Sequence, residues 1–192
     1  MRHIQKLTDS EILSRKLTYE KSGHRSELRR ILELEQKGFC AYTDKHFKSE
    51  ASTLDHFKPQ SLVSQEEDGY HNWFAVSYTV NVVEKRAKWK EPILHPTEPA
   101  IAERIWYKKE KNEIGKTVIV CEYAPKDEAA ENFVEITGLN RNILAKERAA
   151  FVSRLRLLKD RFSIDEIKTY LLQEPLEVDF HRLTEWELGV TL

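Results

Sequence analysis

The stretch Leu54-Asp55-His56-Phe57-Lys58-Pro59 decides how this chain is read. With Ser52 and Thr53 ahead of it, it forms a short β-prone run that Pro59 brings to an end. Neighbouring side chains on a regular strand point to opposite faces, so Asp55 and His56 can serve one site only where the strand stops or bends. Pro59, three residues beyond His56, supplies that stop. Asn72 follows His56 by sixteen residues, and Asn81 follows Asn72 by nine. Val63 to Tyr70 reads as a loop, and Asn72 to about Lys88 as a helix, because Trp73, Val76, Val80 and Val83 fall on one helical stripe. The order strand, loop, helix brings a carboxylate, an imidazole and an oxygen ligand on the facing helix to one place.

Those parts suit phosphodiester hydrolysis. A divalent cation held by oxygen ligands neutralises charge on the scissile phosphate, while a neutral imidazole takes a proton from the attacking water. Histidine suits the base role because its ordinary pKa lies near neutrality, and its ring works only when held in one tautomer by a fixed oxygen. Asn72, in the loop ahead of the helix, can offer that acceptor; it can also cap the helix, a role compatible with the first.

Around this centre the chain alternates helical and extended patterns. Asp9 or Ser10 caps a helical segment through Ile12, Leu13, Leu17 and Tyr19, and a second begins near Ser26 and stops at Gly38. Arg104 to Tyr107 and Thr117 to Tyr123 read as a hairpin turning at Asn112 and Gly115. Asn132 to Gly138 is a short helix or turn. Asn140 opens the longest helix, with Ile143, Leu144, Phe151, Leu155 and Leu158 on its apolar face. Ser163 and Glu166 have capping-box spacing for a further helix, and Phe180 to Leu188 adds a last one. The expected fold class is α+β in a single domain over 1–192: a helical part at 1–38, a core at 39–90, and a hairpin with helices at 91–192.

Charge narrows the function classes. Lys and Arg number 31 against 32 Asp and Glu, a formal net charge of −1, which excludes a simple polybasic nucleic-acid binder. The distribution is uneven: residues 1–30 carry eight basic and four acidic side chains, while 171–192 carry Arg182 against five carboxylates. Lys85, Arg86, Lys88 and Lys90 cluster around Trp89, either as a solvated helix face or as a nucleic-acid contact. The two cysteines, Cys40 and Cys121, are too few for a disulfide framework. No apolar run approaches the roughly 20 residues that span a bilayer, and the first residues carry no signal-like stretch, so a cytoplasmic location without membrane contact is expected.

Leu54 to Pro59, then Tyr70-His71-Asn72-Trp73, then Asn81, resembles the HNH (ββα-metal) endonuclease motif in its His-Asn-Asn form. The flanks Gly38-Phe39-Cys40-Ala41-Tyr42 and Thr137-Gly138-Leu139-Asn140-Arg141-Asn142-Ile143-Leu144, with Arg148 beyond, are similar to PtuB-type HNH proteins of Septu and retron-associated anti-phage systems. The likeness runs from the N-terminal helical part to about residue 160. It implies a ββα-metal core with His56 as general base, Asp55 and Asn81 as ligands of one Mg²⁺ or Mn²⁺, and Asn72 orienting His56 and bracing the loop. It also implies a PtuA-type ATPase partner, a nucleic-acid substrate and, in retron settings, a reverse transcriptase with its RNA–DNA hybrid. His71, Lys85, Arg86 and Lys88 are candidate substrate contacts.

Two departures from the family pattern carry consequences. Relatives often hold a structural zinc on two Cys pairs; here the four positions read Cys40, Thr43, Ser77 and Val80, and one thiolate does not make such a site, so no structural zinc is expected. Packing of Tyr42, Phe47, Tyr78 and Val80 is expected to replace it. Relatives also carry Lys three residues after the final Asn, where this chain has Glu84, with Lys85 one position on. The alternative to a working nuclease is a catalytically decayed HNH-fold binding subunit of the same complex.

Overall fold

A computed structural model describes residues 1–49, 51–111 and 117–192. Ten non-helical residues precede the first helix, which a capping side chain opens. The Ser10 hydroxyl accepts the Ile12 amide hydrogen and opens α1 (Glu11–Ser14), shorter than the expected segment through Tyr19. α2 (Arg25–Glu35) buries Leu28, Ile31 and Leu32 on one face. Lys37 and Gly38, both at positive φ, turn the chain away after it.

Next comes an antiparallel hairpin of β1 (Ser52–His56) and β2 (Trp73–Ser77), in register from Ser52 opposite Ser77 to His56 opposite Trp73. The second strand replaces the first half of the helix expected over 72–88. Its five residues are all buried. A strand covered on both faces reads as a continuous apolar run, and periodicity alone does not separate such a run from a buried helix. Trp73 and Ala75 face the small core of α1 and α2, while Phe74 and Val76 face the main core. The other edge of β2 is closed by Gln36, whose side chain exchanges hydrogen bonds with both the amide and the carbonyl of Ala75, at 3.0 and 2.7 Å, and by the Ala41 amide.

The helical half survives in altered form. Thr79–Lys85 is a π-helical turn, closed by the Arg86 amide donating to the Asn81 carbonyl five residues back at 2.8 Å. Beyond it, α3 (Ile101–Arg104) leads into a second hairpin, β3 (Ile105–Lys111) with β4 (Thr117–Pro125). The predicted turn residues Asn112 and Gly115 lie outside the described residues. α4 (Glu128–Thr137) starts earlier than expected, because Asp127 caps it. α5 (Asn142–Lys159), α6 (Ile164–Gln173, with the expected capping box) and α7 (His181–Leu188) complete an α+β fold with two small antiparallel hairpins among the described residues. Leu144, Phe151 and Leu155 are buried on α5 as expected, but Ile143 is exposed, because it lies one residue, about 100° of helix, off the face those three share. No described helix is long and apolar enough to cross a membrane.

The Asp127 cap supports a first prediction. Its carboxylate accepts the Ala130 amide at 3.0 Å and is clasped by the Arg104 guanidinium at 2.7 and 2.8 Å, which holds its pKa down at about 2. A folded value below the unfolded one, about 4, means a contribution present above that pH and lost as pH falls through about 2. Asp127→Ala is expected to lower unfolding free energy by about 1 kcal/mol at neutral pH. The difference from wild type, read by urea denaturation, should close as pH approaches 2.

Candidate active site

The first hairpin is a partition between two cores, and this decides where the site residues point. β1 stays paired through His56, so the strand does not bend before Pro59 and the two neighbours diverge. Asp55 enters the main core. His56 faces α1 and α2, with its ring edge-on to Tyr19 at 4.4 Å between centroids and 6.3 Å from Trp73. The expectation that Asp55 and His56 share one face is thus replaced by two linked sites, back to back across the strand.

On the His56 side the decisive neighbour is Asp68, which the sequence reading did not single out. Its Oδ2 lies 3.2 Å from His56 Nε2, off line for a hydrogen bond, while its Oδ1 accepts from Trp73 Nε1 at 2.8 Å and Asn72 Nδ2 at 3.3 Å. The carboxylate is therefore fixed by three donors, Gln60 Nε2 reaching Oδ2 itself at 3.1 Å, while that same Oδ2 faces the imidazole. Asn72 itself braces the loop: its Oδ1 accepts the Lys58 amide at 2.8 Å, its Nδ2 donates to the Lys58 carbonyl at 3.0 Å, and its own carbonyl accepts the Phe57 amide. It reaches His56 through Asp68. Tyr19, Asp68 and Trp73, which surround His56, also wall a cleft of about 440 Å³ whose rim carries Glu20, Ser64 and Gln65.

Burial pushes the His56 pKa down, and Asp68, then Asp55, oppose the shift. The ring is thus neutral near pH 7. Because Asp68 acts upward, Asp68→Asn is expected to lower the His56 midpoint further. A carbon-detected or Hε1 NMR titration of His56 in both proteins checks this, and a midpoint that rises or stays put removes Asp68 as its electrostatic partner.

On the other side, Asp55 is already matched. Tyr42 donates its hydroxyl to Oδ2 at 2.5 Å; Lys85 Nζ lies 3.0 Å from Oδ2 and 3.4 Å from Oδ1, and donates to the His56 carbonyl at 2.8 Å. The side chains of Lys85 and Asp55 are 1% and 6% exposed. Burial raises the Asp55 carboxyl and Lys85 opposes it, while burial and Asp55 hold the Tyr42 phenol protonated, as a donor must be. Lys85 is therefore an internal partner and not the surface substrate contact expected of it. Asn81 spends its amide N–H groups on Thr53 Oγ1 at 3.0 Å and the Leu54 carbonyl at 3.3 Å. The Mg²⁺ or Mn²⁺ implied by the resemblance does not fit this arrangement: the one carboxylate offered to it is neutralised by an ammonium. Among the described residues, no group of three or more His, Cys, Asp and Glu side chains is arranged to hold a metal.

The π-turn explains the offset of Lys85. A π-helical turn takes in one more residue than an α-helical one, so a side chain four on from Asn81 points where one three on would in an α-helix. Arg86 closes the turn at φ +50°, a conformation that costs a non-glycine residue about 1–3 kcal/mol. Glu84, displaced to the other side, is buried and ion-paired with Arg141. It approaches Gly138 so closely that a Cβ there would lie 2.8 Å from its carboxylate, and Gly138 also ends α4 at φ +65°. Asn140 hydrogen-bonds both backbone groups of Tyr123, at 2.7 and 2.8 Å, and buried Arg148 donates to the Leu139 carbonyl. Gly138 and Arg141 thus brace the π-turn at Glu84, while Asn140 ties the same segment to β4.

Of the four positions compared with a zinc site above, Cys40, Ser77 and Val80 meet in a hydrogen-bonded cluster: the Ser77 amide donates to Cys40 Sγ at 3.3 Å, and the Val80 amide to Ser77 Oγ at 3.4 Å. Burial pushes the Cys40 thiol up, leaving it inert. Tyr42 and Val80 pack there as expected and Phe47 does so in part, but Tyr78 is 51% exposed and takes no share. His71, Arg86 and Lys88 are exposed, and His71 lines a separate cavity of about 520 Å³ with Lys58, Trp89 and His95.

Fold and site together define a mixed α+β protein with a histidine–aspartate pair at the end of a β-hairpin. Set against protein-family models, curated proteins and solved structures, the chain matches none.

Proposed function

We propose that the chain is an HNH-type nuclease that hydrolyses nucleic-acid phosphodiester bonds, with β1, β2 and the π-turn as its ββα core. The observation that carries this reading is the His56–Asp68 pair: a neutral imidazole, one nitrogen facing a fixed carboxylate, beside a cleft. With Nε2–H toward Asp68, Nδ1 keeps the lone pair that takes a proton from water as the water oxygen bonds phosphorus and the P–O bond to the leaving oxygen breaks. Asp68 stabilises the imidazolium that forms. His71, Arg86 and Lys88 supply exposed contacts to the phosphate backbone.

The cleft rim carries Glu20 beside Asp68, and the net charge is −1, so unaided capture of a polyanion is weak. This supports dependence on a partner, for which the motif resemblance suggests a PtuA-type ATPase in an anti-phage complex and, in retron settings, a reverse transcriptase with its RNA–DNA hybrid. The test is cleavage of labelled DNA and RNA by the assembled complex, wild type against His56→Ala; equal cleavage by the two sinks the assignment. One observation favours a second reading, a decayed HNH-fold binding subunit: Asp55 is already paired with Lys85. That reading expects complex formation without cleavage under any partner condition.

A further inference from the structure

We propose that the ammonium of Lys85 is the resident cation of this site, holding Asp55 in place of a divalent ion. The inference rests on the reading above only in taking Asp55 as part of an HNH-type core, and its test is independent of cleavage.

Three features support it. The first is occupancy: Asp55 Oδ2 already receives the Tyr42 hydroxyl and the ammonium, and Oδ1 has the same ammonium at 3.4 Å. Mg²⁺ needs near-octahedral oxygen coordination and keeps several waters, whereas both partners here are almost wholly buried. A dication entering would meet Lys85 at contact distance, and expelling the ammonium would strip the His56 carbonyl of its donor. The second is register: the π-turn delivers a side chain at Lys85 to the position that a lysine three residues after Asn81 would reach in an α-helix, and its neighbour Glu84 is held buried on the other side of the turn by Arg141 and Gly138. The third is anchorage: Asn81 donates its amide N–H groups to Thr53 and Leu54, binding to β1 the turn that carries Lys85.

Lys85 is on this account a positioning residue. It ties the carboxylate of Asp55 and the carbonyl of His56 to one charge, and so fixes the strand end from which the His56 ring projects.

Two measurements test the proposal. Mn²⁺ is titrated into the full-length wild-type chain and Asp55→Asn, and free ion is followed by electron paramagnetic resonance. Equal, weak binding by the two is expected; a stoichiometric wild-type site that Asp55→Asn removes overturns the proposal. Independently of any variant's folding, the ¹⁵Nζ–H resonance of Lys85, protected from exchange by burial, is followed in wild type as Mg²⁺ is raised into the millimolar range. An unmoved resonance is expected, and its shift or loss overturns the proposal. Cleavage together with Mn²⁺ bound at Asp55 would remove this inference and keep the nuclease; absence of cleavage together with an undisturbed Lys85 would do the reverse.

Discussion

His56→Ala is expected to slow phosphodiester cleavage by the assembled complex by about 10²–10⁴-fold, the range lost with a positioned general base. The size follows from what remains. Asp68 stays fixed by Trp73 and Asn72, but its carboxylate faces the space the ring has left, and no other neutral base among the contacts described takes the proton. Asp68→Asn should cost less, because the imidazole persists and only its orientation and the stabilisation of its charged form are weakened. The two variants separate by pH: in Asp68→Asn the acid limb of the rate profile moves to lower pH with the His56 midpoint, whereas in His56→Ala that limb disappears. Initial rates on a labelled oligonucleotide across pH, with melting temperatures as a folding control, read both. Wild-type rates from His56→Ala would end the base assignment.

How far the sequence carried this site is clear from particular residues. β1 was legible because Ser52 to His56 is β-prone and Pro59 stops it, and α6 because Ser163 and Glu166 form the capping box their spacing announces. β2 was not legible, since Trp73 to Val76 is buried on both faces and shows no alternation for a period of two to reveal. With β2 paired along all of β1, Asp55 and His56 keep the ordinary alternation of a strand. Asp68 lay in the polar run Glu66-Glu67-Asp68, where nothing in composition separates a positioned carboxylate from a solvated one. Lys85 stands one residue out of step in the sequence, and only the π-helical backbone carries it to Asp55.

The same pair gives the largest stability effect. Lys85→Met is expected to lower unfolding free energy by about 3–5 kcal/mol, because it strands a carboxylate with a 6% exposed side chain beside the Tyr42 hydroxyl with no cation to match it. Much of that cost belongs to the abandoned charge and not to the lost attraction, so Lys85→Met/Asp55→Asn should recover most of it; the Tyr42 hydroxyl can still donate to an amide oxygen. The pH dependence has a definite sign. Burial already raises the Asp55 carboxyl and Lys85 opposes that rise, so removing Lys85 raises it further. A carboxyl whose folded pKa lies above its unfolded value favours folding most when protonated, below about pH 4, and that contribution is lost as pH rises through the folded value. The deficit of Lys85→Met against wild type should therefore be small in acid and grow toward neutrality, while the double variant shows little change. Urea midpoints at several pH values measure this, and a small deficit that does not vary with pH would mean that Asp55 finds water or another partner and that the Lys85 pair does not hold the strand end.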